Sequence, residues 1–358
     1  MYRDETKEIR IGDRVIGHGN PILIQSMTNT KTEDTEATVS QILKLEEAGC
    51  EIIRCTAPTE EACRSIKEIR KRIHIPLVAD IHFDYRMAIM AVENGADKIR
   101  INPGNIGSRD RIRAVVDACR ERNVPIRVGV NSGSLEKDLL EKYGGVTAQA
   151  LCESALNAAA YARSFGFEDI VVSLKSSDVA MNHEAHKLFR EQSDLPMHIG
   201  LTESGVGRMA ELKSTAALSA LLLDEIGDTM RISLTGDPLR EVLLAKDILT
   251  ACGKRRLGID FISCPTCGRT QVDLPAIAAR IEEALQPLSQ KLAADGKFIK
   301  VAVMGCAVNG PGEAKEADFG VACGKGNGLL IAKGKQLKTV PEEEIISQLT
   351  ALIEQNAR

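Results

Sequence analysis

From residue 20 to about 255 one pattern repeats along the chain. A short β-branched run is followed by a polar turn, then by a stretch whose apolar residues recur at three- and four-residue spacings. The runs are ILIQ (22–25), EIIRCT (51–56), LVADI (77–81), KIRIN (98–102), IRVGV (126–130), DIVVSL (169–174), MHIGL (197–201) and TMRISL (229–234). The stretches between them, such as TEEACRSIKEIRKR and SRDRIRAVVDACRER, open on residues that suit a helix N-cap. Gly, Asn or Pro then stops the helix ahead of the next strand, as in EAGCEI and ERNVPI. Eight evenly spaced β–α units predict a closed (β/α)8 barrel, with a doubly wound open sheet as the rival architecture. Beyond the barrel, RLGIDFI (256–262) reads as an exit strand. Helical stretches around 273–294 and 341–355 and the apolar runs FIKVAVMG and NGLLIAKG follow. They predict a small α+β domain, dividing the chain into residues 1–258 and 259–358. The Gly-rich GVACGKGNG (320–328) has the wrong spacing for a phosphate loop and reads as a turn. His183 and His186, three apart on a polar helix, read as a solvated face.

Composition narrows the function. With 358 residues, two domains fit. A formal charge of -4, from 46 basic and 50 acidic residues, leaves no global field for nucleic acid or an anionic membrane. Aromatics are 3% with no Trp, which argues against base-stacking platforms. The first ten residues are charged, and no apolar run approaches the roughly 18 residues of a membrane span. The expectation is a cytoplasmic protein.

In such barrels the active site lies at the C-terminal ends of the strands. Those positions hold Arg54; Asp80 and His82; Arg100 and Asn102; Arg127 and Asn131; Lys175; His198 and Glu203; and Arg231 with Ser233. Five cations from five strands thus converge on one mouth. Only Asp80 and Glu203 count as inward acids, too few to neutralise them, and an uncompensated cluster is costly unless a polyanion binds it. Arg offers a planar fork for phosphate oxygens. The pattern points to a phosphate or diphosphate substrate. The loop TESGVGRMA adds Gly205, Gly207 and Ala210 at a helix start, with backbone N–H donors near the anion.

Ten cysteines in a reducing compartment are not a disulfide framework. Six are scattered through apolar or helical context, whereas Cys264, Cys267, Cys306 and Cys323 share the last hundred residues or so. A CxxC pair plus a distant Cys suits zinc, iron–sulfur and redox-dithiol sites. Cys264, Cys267, Cys306 and Cys323 together would suit structural zinc. Three thiolates with an oxygen donor such as Glu313 would suit a [4Fe–4S] cluster with one accessible iron, and Gly305, Gly310 and Gly312 would let the backbone approach it.

ADIHFD (79–84), IRINPGN (99–105), VGVNSGSL (128–135), SLKSS (173–177), HIGLTESG (198–205), SCPTCGR (263–269) and GCAVNGPGEA (305–314) closely resemble the 4-hydroxy-3-methylbut-2-enyl diphosphate synthase family. The resemblance runs nearly end to end and suggests the compact bacterial two-domain form. It implies a TIM barrel followed by a ferredoxin-like iron–sulfur domain, similar to modules of sulfite and nitrite reductases. It implies two-electron reductive ring opening and dehydration of 2-C-methyl-D-erythritol 2,4-cyclodiphosphate in isoprenoid biosynthesis. By resemblance the [4Fe–4S] ligands fall on Cys264, Cys267, Cys306 and Glu313. Diphosphate contacts fall on Arg54, Arg100, Asn102, Arg127, Asn131, Lys175, Arg231 and Ser233. Glu203 is the candidate proton donor, with Asp80, His82 and His198 orienting. The resemblance further implies reduced flavodoxin or ferredoxin as electron donor and a homodimer whose cluster domains cap the partner barrels. A phosphate-binding or pterin-type transferase barrel with a structural zinc tail is the alternative.

Overall fold

The computed structural model describes residues 2–102, 106–270, 272–306 and 310–356, the side chains of Tyr2, Pro311 and Glu313 excepted. It divides into two compact units, Met1–Arg255 and Arg256–Arg358.

In the first unit a hairpin, β1 (Ile9–Ile11) and β2 (Arg14–Ile16), precedes eight parallel strands. These are β3 (Leu23–Met27), β4 (Ile52–Thr56), β5 (Leu77–Asp80), β6 (Lys98–Ile101), β7 (Ile126–Asn131), β8 (Ile170–Lys175), β9 (His198–Gly200) and β10 (Thr229–Arg231). From β3 to β8 each strand pairs with the next, β10 pairs with both β3 and β9, and a parallel bridge between Val172 and Met197 joins β8 to β9. The sheet is therefore a closed barrel, and the open-sheet rival falls away. The helices form because their apolar spacing gives each one a stripe to bury. Helix Glu60–Arg70 buries Ala62, Cys63, Ile66 and Ile69; helix Arg109–Glu121 buries Ile112, Val115, Val116 and Cys119. Asp34, Thr59, Asp84, Thr147, Asp178 and Asp237 cap helix N-termini through their side chains. Each cap is worth about 1 kcal/mol and fixes where a loop of the barrel mouth ends.

The hairpin was not anticipated from the sequence. Ile9, Ile11 and Ile16 pack against Leu23, Ile52, Val78 and Val171, the first or second residues of their strands, and so close the N-terminal end of the barrel.

In the second unit β11 (Gly258–Ser263), β12 (Phe298–Met304), β13 (Phe319–Gly324), β14 (Asn327–Ala332) and β15 (Lys335–Pro341) lie side by side in chain order. The first three are parallel and the last two antiparallel. Residues 320–328, expected as a turn, are mostly strand; the turn is confined to Lys325 and Gly326, between β13 and β14. Helices Leu274–Ala294 and Ile345–Asn356 contribute Ile277, Ile281, Leu349 and Ile353 to one core with Val301, Val321 and Cys323. A second, smaller core of Ala302, Met304, Ala314, Ala322 and Ile331 has half-buried Cys264 packed on it.

Candidate active site

Barrels are usually filled by apolar layers. This one is polar inside. Arg54, Asp80, Lys98, Arg127, Ser173, Lys175, His198 and Thr229 are all buried, with Arg100 and Arg231 half-buried at the strand ends. The strands bring the five expected cations together with a sixth that the strand-end reading missed, Lys98, one inward position below Arg100. Two glycines make room: a Cβ on Gly129 would lie 3.0 Å from Arg100 Nε, and one on Gly200 would lie 3.1 Å from Lys175 Nζ.

The acids differ from expectation. Asp80 is central, 3.7 Å from Arg54 Nε and 3.3 Å from Arg100 Nη1. Burial works to raise its pKa, but Arg54, Arg100 and Arg127 outweigh burial and hold it below the usual carboxylate range. Asp80 is thus a fixed anion that spaces two guanidiniums. The second interior acid is not Glu203 but Glu241, from helix Pro238–Ala251. It accepts from Leu234 N at 3.0 Å and lies 3.5 Å from Arg231 Nη2, and burial raises its pKa. Two acids still face six basic groups. Burial, foremost, lowers the pKa of Arg54 to about 10, and Arg54 donates to Met27 Sδ at 2.8 Å.

Glu203 is exposed on the loop after β9, at a left-handed φ of 53°. A non-glycine residue there is strained, and such strain is concentrated at functional loops. Helix Gly207–Leu223 follows with Val206 at its N-cap and no side-chain cap, which leaves the first N–H groups of that helix open at the mouth. His82 is exposed, with Nε2 3.9 Å from Asp80. His198 lies deep instead: it is 0% exposed, and Nδ1 is 2.9 Å from Thr229 Oγ1. Burial first, then Arg127, Lys175 and Lys98, pushes its pKa well below the usual value and favours the neutral imidazole. Asn131 ends β7, Asn102 follows β6 and Ser233 follows β10, all half-buried on the mouth side. The histidine pair on helix Val179–Arg190 is not a solvated face. His183 pairs with Asp224 at 2.8 Å, while His186 is buried, with Nδ1 2.6 Å from the Asn182 carbonyl oxygen.

In the second unit the three candidate thiols stand apart from the rest. Cys267 is exposed and Cys264 and Cys306 are half-buried, whereas Cys323 is buried in the apolar core with its pKa pushed up to about 11, by burial above all. A protonated core thiol is a poor metal ligand. The Cys264-Pro-Thr-Cys267 turn places Thr266 at φ 62°, a strained setting for a β-branched residue. Hydrogen bonds, with the Arg269 backbone N–H first, lower the Cys267 pKa, and Gly305 N donates to Cys264 Sγ at 3.3 Å. Thiolates held by N–H donors are what an iron–sulfur group requires of its ligands. A Cβ on Gly305 would meet Thr270 and Leu274 at 3.0 Å, so glycine lets the Cys306 segment lie against the turn that follows Cys267. Among the described residues no three metal-ligating side chains are gathered into a formed site. The side chain of Glu313 and residues 307–309 lie outside the described residues.

Residues 6–246 match the family model for the GcpE TIM-barrel domain, and residues 260–355 match that for the GcpE protein C-terminal domain. The 4-hydroxy-3-methylbut-2-en-1-yl diphosphate synthase (flavodoxin) of Caldanaerobacter subterraneus subsp. tengcongensis is 53% identical over 352 residues, 98% of this chain and 97% of that one. The protein of the same name from Anoxybacillus flavithermus is 51% identical, covering 100% and 96%. Among solved structures, dihydropteroate synthase from Stenotrophomonas maltophilia aligns with a TM-score of 0.51 at 18% identity, over 69% of this chain and 97% of that one. At that identity the likeness shows the barrel fold and nothing of the chemistry. Both units are accounted for by one pair of family models, and the chain belongs to the GcpE family.

Proposed function

We propose that this chain is an oxidoreductase of isoprenoid biosynthesis. It opens the ring of 2-C-methyl-D-erythritol 2,4-cyclodiphosphate with two electrons and a proton, releasing 4-hydroxy-3-methylbut-2-enyl diphosphate and water. The observation that carries this reading is the barrel interior, where six basic groups surround two acids. Such an excess suits a polyanionic ligand, as a diphosphate dianion is.

Arg54, Arg100, Asn102, Arg127, Asn131, Lys175, Arg231 and Ser233 hold the diphosphate. Asp80 keeps Arg54 and Arg100 spread to receive it. As the ring opens, negative charge grows on a diphosphate oxygen, and guanidiniums already fixed in place stabilise that charge without reorganising. Glu203, at the mouth, delivers the proton to the departing C3 oxygen. His198, neutral and anchored by Thr229, orients the substrate from below, with His82 at the rim. Residues 1–258 thus serve substrate and residues 259–358 serve a [4Fe–4S] cluster on Cys264, Cys267 and Cys306, with Glu313 as its oxygen ligand. When bound, that group supplies the electrons and a Lewis-acidic iron.

The relatives' name carries flavodoxin, and reduced flavodoxin or ferredoxin fits as the electron donor. The working form is a homodimer in the cytoplasm, each cluster unit covering the partner's barrel. Phe83, 72% exposed after β5, and Val206 and Met209 after β9 give the mouth an apolar rim suited to such a cover. No helix among the described residues is long and apolar enough to cross a membrane.

Anaerobic purification tests the reading. A brown protein with iron and sulfide that turns over the cyclic diphosphate with a reduced dye supports it. A colourless protein with stoichiometric zinc and no turnover overturns it.

A further inference from the structure

Beneath the mouth lies a lysine that the proposed reaction leaves idle. Lys98 stands on β6 two residues before Arg100, on the same inward face but deeper. It is 0% exposed and its Nζ has no hydrogen-bond partner among the described residues. Arg127 Nε and Nη1, the Gln25 amide and His198 Nε2 are buried in the same condition. The charged and titratable groups around Lys98 are Arg127 on β7, Arg54 on β4 and His198 on β9, with Arg100 above it on its own strand. Lys175 on β8 is a further neighbour of His198. The acid on the adjacent strand, Asp80, is engaged by Arg54 and Arg100, and Glu241 by Arg231.

A buried cation with no acid of its own is costly. A guanidinium cannot relieve that cost by losing a proton, but an amine can. Burial first, then Arg127 and Arg54, holds the Lys98 pKa well below its usual value. Lys175 is held down in the same way, by burial and then by Arg54 and Arg231. An arriving dianion would reverse the local field by offsetting those guanidiniums from above.

We propose that Lys98 is a positioning residue that rests as a neutral amine in the empty barrel and becomes an ammonium when a diphosphate fills the mouth, so that substrate and proton bind together. The inference rests on the diphosphate reading above and adds a proton to it. The anion then enters a site whose deepest member gains charge only as the anion arrives. The empty barrel is spared the repulsion of one more cation beside its guanidiniums.

The probe is 2-C-methyl-D-erythritol 2,4-cyclodiphosphate. Each of its phosphorus atoms carries one ester, one anhydride and a single strongly acidic oxygen, so the ligand exchanges no proton near neutrality. Calorimetric titration of the holoprotein in buffers of different ionisation enthalpy reads the protons taken up on binding. The expected result is uptake in the wild type that falls by about one proton in Lys98→Met and keeps the Lys98 share in Lys175→Met. As pH rises above the Lys98 pKa of the empty barrel, wild-type affinity should fall about tenfold per pH unit for the proton that Lys98 takes up, and that contribution to the slope should be gone in Lys98→Met. Lys98→Gln gives the same readings should the Met variant not fold. Binding without proton uptake, or uptake undiminished in the Lys98 variants, overturns this proposal alone. No binding of the cyclic diphosphate to the wild type overturns the diphosphate reading and this proposal with it.

Discussion

Arg231→Met probes the barrel site most directly, because Met keeps an unbranched apolar stem and removes the charged fork at its end. In the structure Arg231 Nη2 lies 3.5 Å from both carboxylate oxygens of Glu241, too long to lock the guanidinium, and its Nε is buried without a partner among the described residues. The fork is therefore available to a phosphate. Its side chain is only 16% exposed, so solvent screening removes little of the interaction. A lost charge-assisted contact in such a place costs about 2–3 kcal/mol, or roughly 30- to 150-fold in Kd. A second effect limits the damage to folding. Glu241, whose pKa burial already raises, can take up a proton once Arg231 is gone. The stability loss should thus stay below the roughly 3–5 kcal/mol of a stranded buried charge. Calorimetric titration with the cyclic diphosphate, with iron and sulfide assayed on the same sample, measures both quantities. Affinity unchanged in Arg231→Met and also in Arg127→Met would refute the phosphate site.

The remaining predictions concern the metal, the carboxylates and pH. Cys264→Ser, Cys267→Ser and Cys306→Ser should each lose iron and sulfide, while Cys323→Ser keeps them because its thiol belongs to the apolar core; loss confined to Cys323→Ser would reverse the ligand assignment. Glu203→Gln should bind substrate and keep the resting spectrum yet lose about 10²- to 10⁴-fold in anaerobic turnover, whereas Glu313→Gln should keep iron but change the spectrum; normal turnover in Glu203→Gln moves the proton source elsewhere. His186, its pKa lowered to about 4 by burial, stays neutral while the unfolded chain takes up a proton near pH 6.5, so stability should fall as pH drops through that window. Between pH 6.5 and 5 the loss is about 2 kcal/mol, and urea unfolding of His186→Gln should show that much less; equal losses in both proteins count against the assignment.

The parts of the molecule legible in the sequence were those with a period. All eight barrel strands, and strands β11, β12 and β14, carry β-branched runs that leave one reading. The parts that escaped have a different physics. β15 reads KQLKTVP because it is an exposed edge strand, where lysine discourages pairing with another chain, and its polarity hides it. The Ile9–Ile16 hairpin is too short for periodicity to register, although its three buried isoleucines were visible. Lys98 was passed over because only strand ends were read for chemistry, and a lysine at a strand start ordinarily points to solvent. Glu241 lies ten residues beyond Arg231, in the first turn of a helix, where an acid is expected for the helix dipole alone. Its return to the Leu234 N–H and Arg231 is a tertiary fact with no local signature.

The hairpin under the barrel has a consequence of its own. With Ile9, Ile11 and Ile16 wedged across the lower strand ends, the polar interior is a cup and not a pipe. Among the described residues the lower end is closed, which leaves the mouth as the doorway for water, ions and protons as well as for a ligand. Whatever covers that doorway during a turnover also fixes the inventory of charge inside it: each proton consumed must already be aboard, stored on a side chain, when the opening shuts. On the proposed function, a plug made of three isoleucines at the far end of the barrel would thereby require the chemistry to be provisioned in advance and not supplied as it proceeds.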